Sequence, residues 1–122
     1  MTDERFIRYR KEDIAEIKEL YESIMTIAAH GLFFRTGRIL GARLVRKSGS
    51  AGNIYEVMAK LLKDEGWVES VKFEKDRIVV KGSIEAVRQP TPSCHMLRGV
   101  LTKVIEIVES KKVYCNEIMR AR

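Results

Sequence analysis

Trp67–Ser83 reads WVESVKFEKDRIVVKGS, and its period sets it apart from everything before it. Val71 and Phe73 alternate with charged or small residues, Lys75–Asp76 reads as a turn, and Ile78 and Val80 then alternate with Val79 and Lys81. A two-residue period on both sides of a polar turn predicts a β-hairpin with one better-buried face. This is the stretch that makes the chain α+β, because the residues N-terminal to it follow the longer period of a helix.

Residues 11–30 carry Ile14, Ile17, Leu20, Tyr21, Ile24, Ile27 and Ala28 at helical steps, so an amphipathic helix is predicted there, ended or bent by Gly31. A second helix is predicted over 32–46. Its Gly37 and Gly41 lie four apart and share a face, and each weakens a helix by about 1 kcal/mol relative to alanine. Such a pair favours a close helix–helix crossing over a close approach to a ligand. SGSAG (Ser48–Gly52) reads as a loop. Asn53 with Glu56 then opens a third helix through Ile54, Val57, Met58, Leu61 and Leu62, which ends near Gly66.

C-terminal to the hairpin, residues 84–92 form a connection holding Pro90 and Pro92, and Ser93 or Cys94 opens a fourth helix. Met96, Leu97, Val100, Leu101, Val104, Ile105 and Val108 give that helix a broad apolar face. KKVYCNEIM reads as a last strand, with Val113, Cys115 and Glu117 on one face and Tyr114, Asn116 and Ile118 on the other. The expected architecture is one domain over residues 1–122: a small, mostly antiparallel sheet with helices packed on one side. No repeat, low-complexity tract or long linker divides the chain.

With 122 residues, 45% hydrophobic and 33% charged, the chain is large enough to bury its own core and has an ordinary soluble composition. No apolar run approaches the ~18 residues of a membrane span, and the opening MTDERFIRYRKED is too charged for a secretory signal, so a cytoplasmic protein is expected. The net charge of +6 is scattered, densest at RFIRYRK near the start and RAR at the end, and lacks the aromatic-basic interleaving of the kind that single-strand binders use, which argues against a nucleic-acid partner. Two cysteines in such a chain are expected to be reduced.

Cys94 and His95 sit side by side at the start of the fourth helix, where unpaired N–H groups and the helix dipole favour a thiolate. If the last strand lies beside that helix start, Cys94, Cys115 and Glu117 converge. With His95 they would suit a tetrahedral zinc. The competing reading makes Cys94 a small packing residue and His95 a partly exposed neighbour. No residue is assigned a catalytic role. His95 has no nucleophile or orienting carboxylate near it in sequence, Ser93 lacks a nucleophile elbow, and the glycines fit neither a phosphate loop nor a dinucleotide fingerprint.

The succession Gly37-x3-Gly41-x2-Leu44, LLKDEGW, KDRIVVKGSIEA, PSCHMLRGVLTKVIE and VYCNE resembles the 4-vinyl reductase domain, a small-molecule-binding domain of archaea and bacteria. That domain is related in fold to the small subunits of TRAPP vesicle-tethering complexes and to the NO-signalling and Golgi-transport ligand-binding domains. The likeness covers roughly residues 30–118. Its most specific pieces are the Cys before an Arg-Gly-apolar helix and the Glu that follows on the strand.

The resemblance implies a helix-flanked antiparallel sheet, a homodimer, and an apolar cavity for a hydrophobic ligand in a sensory or regulatory domain. Leu32, Phe33, Leu40, Leu97 and Leu101 are the expected cavity walls. It also implies a structural zinc held by the Cys that opens the helix, the strand Glu, and two later cysteines. Cys94 and Glu117 match the first two, but no cysteine follows Glu117 and Arg120 stands where the next ligand would fall. Cys115, His95 or a second chain would have to complete the set. The alternatives are a scaffold that holds protein partners, as in the TRAPP-like relatives, and a component of a tetrapyrrole vinyl reductase.

Overall fold

The computed structural model describes residues 5–49, 53–86 and 93–118. Within them the chain forms helices α1 (Lys11–Met25), α2 (Ile27–Ser48) and α3 (Ile54–Asp64), strands β1 (Ser70–Phe73) and β2 (Ile78–Lys81), and helix α4 (His95–Glu109). The fold is therefore α+β, with four helices and a two-stranded antiparallel sheet among the described residues. Residues 87–92 of the predicted connection, with Pro90 and Pro92, and most of the SGSAG loop lie outside the described residues, as does Arg120. No helix among the described residues is long and apolar enough to cross a membrane.

The hairpin follows its two-residue period. Val71 pairs with Val80 and Phe73 with Ile78, so all four half-buried side chains share one face; Ser70, Lys72, Val79 and Lys81 lie exposed on the other. The buried face packs on a core of Leu44 from α2, Met58 and Leu62 from α3, and Leu97, Val100, Leu101 and Val104 from α4. Tyr55 of α3 stacks on Phe73 with ring centroids 4.9 Å apart. Asn53 caps α3 by accepting the Glu56 N–H at 3.3 Å, as its side chain predicts.

Two element boundaries differ from the sequence reading. The first helix ends at Met25 rather than near residue 30. Thr26 takes φ 52° and ψ −121°, a conformation that no helix accommodates, and Gly31 lies inside α2 with open space around it. Residues 111–118 join no strand ladder among the described residues. Their alternation survives, with Val113, Cys115 and Glu117 half-buried and Tyr114, Asn116 and Ile118 exposed. The backbone is held by side chains instead. Glu106 accepts the Val113 N–H at 3.4 Å, and Arg98 donates to the Cys115 carbonyl at 3.3 Å.

The principal packing event is the crossing of α2 over α4, where the backbones meet through glycine. A Cβ at Gly37 would stand 1.9 Å from the Met96 carbonyl oxygen, one at Gly41 2.6 Å from that of Val100, and one at Gly99 2.1 Å from that of Phe34. The Gly37–Gly41 pair thus serves a helix–helix crossing, with Gly99 as its counterpart on the facing helix. This crossing fixes α4 and so positions the site at its head.

Candidate functional site

Helix α4 begins without a local cap. Cys94 holds the N-cap position and its side chain bonds none of the helix N–H groups. The orphan donors of the first turn therefore need acceptors from elsewhere. Two carboxylates supply them. Glu117 accepts the Cys94 N–H at 2.8 Å and the Ser93 N–H at 3.2 Å. Glu85 accepts the Met96 N–H at 3.0 Å and the Leu97 N–H at 2.7 Å. Negative charge at this end also meets the positive pole of the helix.

Glu85 is only 3% exposed, so its charge must be matched. Lys18 of α1, 6% exposed, places its Nζ 2.9 Å from Glu85 Oε2 and also donates to the Ser93 carbonyl. Lys11 donates to the Ser83 carbonyl at 3.2 Å, and Ser83 Oγ accepts the Glu85 N–H at 3.2 Å. Two lysines thereby latch α1 onto the turn after β2 and onto the head of α4.

Cys94 and Glu117 are brought together, as the sequence reading expects, but the thiolate is not favoured. Burial pushes the Cys94 thiol upward, with the negative charges of Glu117 and Glu85 adding to the shift; the hydroxyl of Ser83, 3.2 Å from Sγ, opposes it. The N–H groups of Cys94, Met96 and Leu97 at this helix end are already spent on carboxylates. Both oxygens of Glu117 are occupied by backbone donors. Among the described residues no group of three or more His, Cys, Asp or Glu is placed to hold a metal ion. A tetrahedral structural zinc needs four ligands, and the donors described here do not fit one.

His95 is a correction to the sequence reading. It is buried, 8% exposed, rather than a partly exposed neighbour, because the first turn of α4 points it at α2. There its ring stacks on His30, with centroids 4.0 Å apart and planes 18° from parallel. Neither ring nitrogen has a hydrogen-bond partner among the described residues. Burial, reinforced by electrostatic repulsion from the neighbouring His30, Lys18 and Arg98, lowers its pKa to about 4, so the ring is neutral at pH 7. His30 is tied in turn to Glu22 at 2.9 Å.

The expected cavity walls serve several ends. Leu97 and Leu101 are core residues and Leu40 packs against that core. Phe33 is buried between Tyr21, at 5.9 Å between ring centroids, and Lys18, at 5.4 Å from its own. Leu32 is exposed. None of the five lines the cleft that the structure does contain. That cleft, of about 300 Å³, runs between α2, α4 and the C-terminal segment. Phe34, Arg38, Thr102 and Glu106 form one wall, and Lys112, Val113, Tyr114 and Cys115 the other. Arg38 pairs with Glu106 at 2.9 Å, and the Arg98 guanidinium lies 4.4 Å from the centroid of the Phe34 ring. A second hollow lies on α1, lined by Glu16, Glu19, Leu20 and Ser23; all four come from that one helix.

Lys18 and Glu85 were missed by sequence reasoning. A signal existed for each: Lys18 interrupts the apolar stripe of α1, and a helix that opens on Cys-His needs a distant cap. With this geometry in view, no family model, no curated protein and no solved structure matches the chain.

Proposed function

We propose that the chain is a small-molecule-binding, sensory or regulatory domain that takes a hydrophobic ligand and acts as a dimer. This is the role, with a TRAPP-like fold, that its likeness to the 4-vinyl reductase domain implies. The cleft between α2, α4 and residues 112–115 carries the reading. At about 300 Å³ it has the volume of a small ligand site, with Phe34, Val113 and Tyr114 as apolar wall and Arg38, Thr102, Glu106 and Lys112 as polar groups. One wall is built on the glycine crossing, which makes it rigid; the other is a segment held mainly by side chains. A bound molecule that orders the second wall would change the surface around Tyr114 and Ile118, which gives a sensor its output.

The dimer is supported by exposed apolar side chains, Ile17, Leu20, Tyr21 and Ile24 at helical spacing on α1, with Ile27, Leu32 and Ile39 exposed on α2. A patch of this kind marks an interaction surface. Charge complements it. Helix α1 carries Glu12, Asp13, Glu16, Glu19 and Glu22 against two lysines, whereas α2 has no acidic residue and carries Arg35 and Arg46 besides Arg38, Arg43 and Lys47, which pair with Glu106 and Glu65 of the same chain. In a two-fold pair, α1 of one copy can lie on α2 of the other twice over. The same face favours the scaffold reading if its occupant is a different protein.

A neutral probe, 1-octanol, tests the ligand site. It is expected to raise the melting temperature saturably, and Val113→Trp, which fills the cleft from its segment wall, is expected to abolish that rise. An equal rise in wild type and Val113→Trp would remove the cleft as the site.

A further inference from the structure

The cleft carries a charge that its own walls do not cancel. Arg38 is neutralised by Glu106, at 2.9 Å, and Glu106 also accepts the Val113 N–H. One further cation, Lys112, lines the same space, and a second, Arg98, lies behind the wall against two lining residues, Phe34 and Cys115. Lys112 is exposed and has no ion-pair partner among the described residues. Arg98 is half-buried with its guanidinium over Phe34, and its one hydrogen bond goes to the Cys115 carbonyl, so it too faces no carboxylate among the described residues. A guanidinium offers five N–H donors in a fork suited to a carboxylate, and one carbonyl contact leaves most of them unused. Beside these charges the wall is apolar, made by Phe34, Val113 and Tyr114.

We infer that the cleft takes a small amphipathic anion, an organic carboxylate whose charged end meets Arg98 and Lys112 and whose apolar body lies along Phe34 and Val113. This inference rests on the reading of the cleft as a hydrophobic-ligand site and adds the sign of the ligand's charge. A purely apolar ligand would leave the two cations without a partner, and a cationic ligand would be repelled by both. Arg98 links the ligand to the rest of the molecule. It projects from the first turn of α4, next to His95, and grips the segment that carries Cys115 and Glu117, so a carboxylate that draws on its free donors acts on the cap of the helix.

Calorimetric titration of the intact chain with octanoate and, separately, with 1-octanol tests this. The two probes share an eight-carbon body and differ in charge. Octanoate is expected to bind at least about tenfold more tightly than octanol, the effect of a charge-assisted contact. Lys112→Glu, an exposed change that leaves the fold alone, is expected to weaken octanoate about tenfold while leaving octanol unaffected. Arg98→Gln is expected to do the same or more. Equal affinity for the two probes, or octanoate binding indifferent to Lys112→Glu, overturns the anion and leaves the hydrophobic site standing. Binding of neither probe overturns both.

Discussion

His95 is the residue whose environment departs furthest from its chemistry. A ring with two polar nitrogens is packed face to face on another histidine and given no hydrogen bond among the described residues. The folded protein therefore resists its protonation until about pH 4, whereas an unfolded chain takes up the proton near pH 6.5. Between those values the unfolded state binds more protons, so stability falls as the pH drops through the window. The full difference amounts to about 3 kcal/mol. Urea unfolding at pH 7.0, 5.5 and 4.5 is expected to show this loss in the wild type and a much flatter profile in His95→Phe, which keeps the stack and removes the proton site. A wild-type profile as flat as the variant's would mean that His95 is hydrated and ordinary.

Among the helices, the α2–α4 crossing separates glycines that matter from one that does not. Gly37 faces the Met96 carbonyl at a distance no Cβ can occupy, and the obstacle is backbone. Gly37→Ala must push the helices apart and open the core at Val100 and Leu97, with an expected loss of about 3 kcal/mol or more. Gly31 lies in the same helix with nothing within 4 Å, so Gly31→Ala is expected to gain about 1 kcal/mol from helix propensity alone. Thermal melts of the two variants, read in opposite directions, check the crossing. Much of this level was legible in the sequence, because the Gly37–Gly41 spacing, the Asn53 cap and the hairpin alternation are all local signals. The break at Thr26 was not, since threonine favours no such conformation and the apolar stripe runs through it. Nor was the fate of residues 111–118. Alternation records which side chains face inward, and it holds there, but it does not record whether a neighbouring strand exists to pair with. The Lys18–Glu85–α4 cap was hidden for a related reason: it joins three segments far apart in sequence, and neither Lys18 in the apolar stripe nor the missing local cap at Cys94 says which segments meet.

At the scale of the whole molecule, two features remain after the core is accounted for: a cleft with charged and apolar walls, and an apolar face on α1 and α2. The latch from Lys11 and Lys18 holds α1 in place while leaving that face outward. Ile24 is 72% exposed and packs on nothing that folding requires. Ile24→Glu is therefore expected to leave the melting temperature nearly unchanged and to shift the sedimentation coefficient from dimer to monomer. A variant that stays dimeric would place the interface elsewhere.

The proposed role joins the cleft and the apolar face, and native mass spectrometry of the protein as purified reads both at once. A dimer that releases a small organic mass on denaturation is the predicted result. A bare monomer, unchanged when octanol or octanoate is added, would contradict it.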